Sequence, residues 1–320
     1  MIKKIGVLTS GGDSPGMNAA IRAVTRVAIA RGMEVYGIRH GYKGLVDGDI
    51  FPLGIDSVSS ILNRGGTFLG SARLKEFEEY EVRKKAVEVL EQYGIEALVT
   101  IGGDGTYRGA LSLTKMGIQC VGIPGTIDND IASTQYTIGY QTAVNTAVEC
   151  VDKLRDTSSS HHRCSIVEVM GNRCDDLAVS TAISCGAEVL VTRSTGYNED
   201  RIIQQLNDLH YIRKKDHAIV IISEKMGDVH KLAKRISDET QFAARATILG
   251  HIQRGGAPVP FDRVLASRLG KAAIDCLEKG RGGLCVGYQN NEIVAIPIEE
   301  ALAMQADPSK PMLRLFEDLV

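Results

Sequence analysis

Short aliphatic and β-branched runs recur along the chain at Ile2–Leu8, Glu34–Ile38, Ala97–Ile101, Gln119–Ile123, Ser165–Met170, Glu188–Thr192 and His217–Ile222. Runs this short and apolar predict strands buried on both faces. Between them, Met17–Arg31, Tyr80–Tyr93, Thr142–Arg155 and Arg201–Leu209 have the length and apolar spacing of helices. Strand and helix therefore alternate, which predicts an α/β fold with mainly parallel sheets flanked by helices. No repeat of about 20 to 50 residues is visible, which argues against a solenoid.

Charge changes this picture little. The 320 residues carry 37 Lys+Arg against 39 Asp+Glu, a formal charge of -2, so no overall field draws the chain to nucleic acid or an anionic membrane. Length alone suggests two domains, at about 100 to 200 residues each. The longest apolar stretches, such as Ala218–Ile222, fall far short of the roughly 20 residues needed to cross a bilayer. The N-terminal residues run directly into a strand and a glycine loop without an apolar leader, so the expected location is the cytoplasm. Seven cysteines (Cys120, Cys150, Cys164, Cys174, Cys185, Cys276 and Cys285) include no C-x-x-C pair and read as reduced, mostly buried thiols.

Glycines gather where the strands of the first half end: Gly11-Gly12, Gly65-Gly66, Gly102-Gly103-Asp104-Gly105 and Gly125. Ligands of open α/β sheets bind outside the carboxyl ends of strands, so these loops are expected to converge on one cleft. In Ser10-Gly11-Gly12-Asp13-Ser14-Pro15, the glycines can bring N–H groups up to an anion, Asp13 or Ser14 can cap the following helix, and Pro15 suits its first turn. The loop lacks the Lys-Ser/Thr of a Walker A motif, and a plain turn has the same composition. In Gly102-Gly103-Asp104-Gly105-Thr106 the main chain again offers donors, and Asp104 adds a hard oxygen ligand suited to Mg²⁺ on substrate phosphates. Such a loop indicates nucleotide phosphates without naming the acceptor.

Gly125-Thr126-Ile127-Asp128-Asn129-Asp130 brings two carboxylates close together. If extended, the segment points Thr126, Asp128 and Asp130 to one side, where either acid could raise the other's pKa and accept the proton of an attacking sugar hydroxyl. An Asx-rich turn is the alternative. Arg73, Arg163, Arg245 and Arg254, with His161, His162 and His251, place cations beside small residues, and an arginine fork suits a second phosphate belonging to an acceptor. The paired histidines lack a third metal ligand and read as loop hydrogen-bonding groups. Arg22 and Arg26 share one helical face and Arg155 ends another helix; they form either a separate anionic pocket or solvated surface charge.

Taken together, TSGGDSPGMNAAIRAV, NRGGTFLGSAR, IGGDGTYRGA, GIPGTIDND, KLRDTSSSHHR, VEVMG and LGHIQRGGAPVPFDRVLAS resemble the bacterial ATP-dependent 6-phosphofructokinases over nearly the whole chain and in the family's order. The resemblance implies transfer of the γ-phosphoryl of Mg·ATP to O1 of fructose 6-phosphate, giving ADP and fructose 1,6-bisphosphate, the committing step of glycolysis. It implies a two-lobe fold, each lobe a mainly parallel sheet flanked by helices: an ATP lobe over residues 1–138 and 252–305, and a fructose 6-phosphate lobe over 139–251 and 306–320. By the same resemblance Asp128 is the base, supported by Thr126, Asp130 and Arg73, and Asp104 holds Mg²⁺. Gly12, Arg73, Leu74, Gly103, Asp104, Gly105 and Thr106 line the ATP site. Thr126, Ile127, Asp128, Met170, Gly171, Asn172, Glu224, His251, Ile252, Gln253 and Arg254 meet the sugar phosphate, with Arg163 and Arg245 reaching in from a neighbouring subunit of a homotetramer. An effector site for ADP or phosphoenolpyruvate would use Arg22, Ala23, Val24, Thr25, Arg26, Arg155, Gly186, Ala187, Glu188, Arg213, Lys214 and Lys215.

Pyrophosphate-dependent relatives carry aspartate at the position of Gly105 and lysine at that of Gly125, so both glycines favour ATP as donor. Other positions depart from the family. Relatives read Met-Gly-Arg followed by x-Cys-Gly-Asp, where this chain has Met170-Gly171-Asn172-Arg173-Cys174-Asp175-Asp176. An arginine is thus replaced by Asn172 and a glycine by Asp175. On an extended segment Arg173 would point away from the place Asn172 occupies. Ile55 stands where an effector-site arginine is usual, and Asp216 looks inserted beside the basic stretch. These changes predict an enzyme that stays active, with turnover open to impairment at Asn172 and with weakened regulation; a pyrophosphate-dependent enzyme and a catalytically weak regulatory paralogue are the alternatives.

Overall fold

The computed structural model describes residues 2–305 and 309–320. Among them the elements run β1 (Lys4–Thr9), α1 (Met17–Ala30), β2 (Glu34–Ile38), α2 (Gly41–Asp47), β3 (Ile50–Leu53), α3 (Tyr80–Tyr93), β4 (Ala97–Gly102), α4 (Asp104–Lys115) and β5 (Gln119–Pro124). Next come α5 (Tyr140–Ser160), β6 (Arg163–Val169), α6 (Asp176–Cys185), β7 (Val189–Val191), α7 (Glu199–Tyr211), β8 (Ala218–Ser223), α8 (Val229–Glu239) and β9 (Ala243–Ile248). The chain ends with α9 (Pro260–Glu278), β10 (Leu284–Gln289), β11 (Glu292–Pro297), α10 (Ile298–Ala303) and α11 (Ser309–Leu319). They divide into two compact units, Met1–Thr142 with Arg254–Ala306, and Ala143–Gln253 with Asp307–Val320.

The first unit holds a sheet of order β11-β10-β5-β4-β1-β2-β3. Its five inner strands are parallel, while β2/β3 and β10/β11 are antiparallel. Every residue of the central strand β4, Ala-Leu-Val-Thr-Ile-Gly, is buried, as a strand covered on both faces requires. Alternation sorts the side chains. Ile5, Val7, Ala97, Val99 and Ile101 join a core with α1 and α9, while Leu8 and Leu98 face α3, α4 and α10. The two helices of the first layer approach closely: a Cβ on Gly270 would lie 2.7 Å from that of Ala23.

The second unit has a parallel sheet of order β7-β8-β6-β9. One face packs on α7 and α8, the other on α5, α6 and α11. The predicted strands and helices are all present with ends moved by a few residues. The spacing reading lacked α2, β3, α6, α8, β9, α9, β10, β11, α10 and α11. The run in β9, Ala-Ala-Arg-Ala-Thr-Ile, has too few β-branched residues to signal a strand and forms only because β6 supplies its ladder.

Cys120, Cys164, Cys185, Cys276 and Cys285 are buried, Cys150 and Cys174 are half-buried, and no disulfide joins any of them. Burial pushes the Cys120 thiol up to about 12 and those of Cys185 and Cys285 to about 11. No helix among the described residues is long and apolar enough to cross a membrane.

Candidate active site

The carboxyl ends of β1, β4 and β5, neighbours in the first unit's sheet, carry three of the glycine-containing segments. After β1 the chain does not start its helix at Asp13 or Ser14, as its composition suggested. Gly16 is the N-cap, at φ 110°, and no side chain caps α1. Ser14 is used elsewhere: its Oγ donates to the Ile138 carbonyl at 2.8 Å and its own carbonyl accepts from Met17 N–H. Asn18, the second residue of α1, latches the next loop. It donates to the carbonyls of Arg64 and Gly65 and accepts from Phe68 N–H at 2.7 Å. That loop leads to Arg73, which is exposed, and Leu74, which packs on the α3–α4 layer. Arg254 lies over the first loop, donating to the Asp13 carbonyl at 3.2 Å. A Cβ on Gly12 would stand 2.3 Å from its Nη1, and one on Gly65 the same distance from the Gly256 carbonyl oxygen. At Gly65, which faces backbone, only glycine admits the approach; at Gly12 a side chain would displace the Arg254 guanidinium.

The second loop differs. Gly103 is the extended N-cap of α4, and its carbonyl accepts from the N–H groups of Thr106 and Tyr107. Thr106 Oγ1 donates to the Ser10 carbonyl at 3.0 Å, tying the two loops together. A Cβ on Gly103 or Gly105 would meet nothing within 4 Å. No internal packing demands glycine there, and the open space over a helix N-terminus suits a phosphate. Asp104, in the first turn of α4, has its carboxyl pushed above the ordinary range by burial and by the like charge of Asp130, with Arg108 opposing. A divalent cation relieves that pairing and takes oxygen ligands of this kind.

The segment after β5 is not extended. It bends at Ile127 and Asp128, and Asn129 is left-handed at φ 53°. Thr126 Oγ1 accepts the Asp128 N–H at 3.2 Å, while Asn129 Oδ1 accepts Thr137 N–H at 2.9 Å. Thr126 and Asp128 are consequently buried, Asp130 is exposed, and the three do not line one side. The carboxylate beside Asp104 that helps raise it is Asp130, from a different loop. Behind the bend, Thr126 N–H donates to the Ile138 carbonyl. The next residues are fixed by Asp262 of α9, whose carboxylate accepts Gly139 N–H at 3.1 Å, Thr142 N–H at 2.8 Å and the Thr142 hydroxyl. Asn18 and Asp262 drew no notice in the sequence, whereas at Asn129 the chain takes the Asx-rich bend offered there as the alternative to an extended segment.

The second unit gathers another set at the carboxyl ends of β6 and β8. Met170 N–H lies 3.4 Å from Gln253 Oε1. Gly171, at φ 145°, opens a turn closed by Cys174 N–H on the Gly171 carbonyl at 2.8 Å, with Asn172 left-handed at φ 54°. The extended geometry expected for Asn172 and Arg173 is therefore absent. Asn172 N–H donates to Glu224 Oε1 at 2.8 Å. His251 and Ile252 are exposed and Gln253 is buried in the short turn after β9, while Arg163 starts β6 and Arg245 lies in β9.

The phosphofructokinase family matches residues 4–277. The chain belongs to that family. It is 56% identical to an ATP-dependent 6-phosphofructokinase of Vibrio cholerae over 96% of each chain. Among solved structures it resembles Pichia pastoris phosphofructokinase in the T-state, at TM-score 0.88 and 34% identity, covering 100% of this chain and 37% of that one. A pyrophosphate-dependent phosphofructokinase of Marinobacter aquaeolei shares the fold at TM-score 0.85, with 18% identity over 100% of this chain and 92% of that one.

The positions that the resemblance marked as unusual have definite local settings. Asparagine is among the few side chains that tolerate the left-handed backbone at 172. Asp175 is buried and accepts the N–H groups of Arg193 at 3.2 Å and Ser194 at 2.9 Å, holding the loop after β7. Asp216 lies between two histidines, His217 Nδ1 at 2.8 Å and His162 Nδ1 at 3.4 Å, and its carboxyl is held low chiefly by the His217 hydrogen bond. No cluster of metal-ligating side chains is found among the described residues.

The residues expected for an effector divide between the units. Arg22, Ala23, Val24, Thr25 and Arg26 lie on α1 of the first, with Arg22 half-buried and Arg26 exposed. The second holds the rest around Glu188, whose buried carboxylate accepts from Ile219 N–H at 2.7 Å, Lys215 Nζ at 2.9 Å and Arg155 Nη1 at 3.4 Å. Arg155 also donates to the carbonyls of Cys185 and Gly186, at 2.8 Å each. A cavity of about 100 Å³ is lined by Gly186, Ala187, Glu188, Arg213, Lys215 and α11 residues; Lys214, at φ 57°, turns the chain between its neighbours.

Proposed function

We propose that this chain is an ATP-dependent 6-phosphofructokinase, transferring the γ-phosphoryl of Mg·ATP to O1 of fructose 6-phosphate. One observation carries the reading: an open glycine cradle at Gly103–Gly105 beside a bent strand end that holds Asp128 buried. The 56% identity to the Vibrio cholerae enzyme supports it. The first unit takes the ATP role, with Gly12, Arg73, Leu74 and Gly103 to Thr106 at the nucleotide. Asp104 is the residue suited to hold Mg²⁺, which supplies neutralisation of phosphate charge when bound. Asp128 accepts the O1 proton as the O1–phosphorus bond forms and the bond to the ADP oxygen breaks. Thr126 Oγ1 fixes that residue through its N–H, and Asp130 and Arg73 act on the surrounding charge. Fructose 6-phosphate is the ligand for Met170, Gly171, Asn172, Glu224, His251 to Gln253, and Arg254. Arg163 and Arg245 would serve a neighbouring subunit of a homotetramer.

ATP is favoured over pyrophosphate by Gly125 as well as Gly105. A Cβ at Gly125 would lie 3.1 Å from Met17 Cε and 3.2 Å from Ile101 Cγ2, tight contacts that a lysine stem would have to push aside. ADP or phosphoenolpyruvate regulation would be weak, because Ile55 offers no cation and Glu188 already engages Arg155 and Lys215. The test is a titration of fructose 6-phosphate with Mg·ATP and, separately, Mg·pyrophosphate, read as fructose 1,6-bisphosphate formed. Turnover with ATP alone is expected; turnover with pyrophosphate alone, or with neither donor, overturns the reading.

A further inference from the structure

Two left-handed residues meet at the carboxyl ends of β6 and β8. Asn172 has φ 54° and Lys225 has φ 66°. Asn172 N–H donates to Glu224 Oε1 at 2.8 Å, and Lys225 Nζ donates back to Asn172 Oδ1 at 3.3 Å. The same ammonium lies 4.0 Å from Glu224 Oε1. A lysine pays about 1–2 kcal/mol to sit in the left-handed region. The Lys225 side chain is 58% exposed, and a solvated ion pair of this kind returns about 1 kcal/mol at most. Packing does not explain why lysine occupies this turn, and backbone strain of this sort gathers at functional positions.

We propose that Lys225 is a catalytic residue whose ammonium, placed over Asn172, binds a phosphate oxygen of the reactants. The inference deepens the kinase reading and rests on it. Asn172 itself brings no charge, and Arg173, exposed like Asn172, has no ion pair among the described residues to hold it at the turn. Lys225 carries a formal cation into the turn from the neighbouring strand, and the Asn172 carbonyl oxygen and Glu224 hold it there in the absence of an anion. Both partners are weak enough to release the ammonium when a doubly charged phosphate arrives. The phosphate could be that of fructose 6-phosphate or the one in transfer, and kinetics separate them.

The experiment compares wild type, Lys225→Asn and Lys225→Arg in the coupled assay with Mg·ATP. Asparagine keeps the left-handed backbone and removes the charge; arginine keeps the charge. We expect kcat/KM for fructose 6-phosphate to fall about 10- to 100-fold in Lys225→Asn, the scale of one charged hydrogen bond, with a thermal midpoint no lower than that of wild type. Lys225→Arg recovers most of the loss. A change confined to KM assigns the ammonium to the sugar phosphate, and a change in kcat assigns it to the transferred group. Wild-type kinetics in Lys225→Asn overturn the assignment while leaving the kinase reading intact. A wild-type protein inactive with Mg·ATP overturns both.

Discussion

Replacing Asp262 by alanine tests whether α9 holds the bend at Asp128 in place. The carboxylate is fully buried and accepts two backbone N–H groups and a hydroxyl at the start of α5. Alanine leaves the amides of Gly139 and Thr142 without this acceptor, and an unsatisfied buried donor costs about 1–3 kcal/mol. Relief of a buried charge offsets part of that, so the loss should be about 2–4 kcal/mol. Ile138, immediately before, accepts from both Ser14 Oγ and Thr126 N–H, so turnover should fall along with stability. Urea unfolding followed by circular dichroism reads the first effect as a lower midpoint at unchanged slope. Asparagine at 262 should fall between, because one of its two polar atoms is itself a donor. Burial raises the Asp262 carboxyl above its ordinary value of 3.8. Its contribution is therefore greatest below that value and declines as pH rises through the raised one. The gap between wild type and Asp262→Asn should narrow over that window. An alanine variant within about 0.5 kcal/mol of wild type would refute the reasoning.

Three further outcomes follow from the same geometry. Gly105→Asp should fold normally, since a Cβ there meets nothing within 4 Å, yet lose Mg·ATP turnover because the carboxylate fills the open space; retained ATP activity counts against the cradle. Asp128→Asn should lower kcat by about 10²- to 10⁴-fold, the usual contribution of a positioned base, while leaving ATP binding by calorimetry intact. Glu188→Gln should lower thermal stability by about 1–3 kcal/mol, less than a fully buried pair because Arg155 and Lys215 remain partly solvated, and a midpoint equal to wild type would show that the carboxylate adds no net stability.

The parts of the site that the sequence disclosed are those whose chemistry is local. Two glycine loops after apolar runs, one opening a helix at Asp104, follow from strand and cap rules alone. The bend at Asp128 does not. Its shape depends on Thr137, reached by Asn129 across eight residues of chain, and on Asp262, more than a hundred residues away. Arithmetic on alternating side chains predicted one face for Thr126, Asp128 and Asp130, and a single left-handed residue removed that face. Asn172 was read as a lost cation; its backbone angle, invisible in the sequence, shows it as a turn former with a lysine from the next strand beside it. The coupling of Asp104 to Asp130 likewise needs the adjacency of β4 and β5.

The distribution of thiols gives the protein an internal clock for its own opening. Five sulfurs lie inside the two units and two are partly open at Cys150 and Cys174, and a thiol held near 11 or 12, as at Cys120, Cys185 and Cys285, is almost wholly protonated at neutral pH. An alkylating reagent therefore meets a graded set. Label arriving at Cys120 or Cys285 times the exposure of the first unit, and label arriving at Cys164 or Cys185 times that of the second. Mass spectrometry of one reaction would rank the two units by how often each comes apart, with no probe added to the chain.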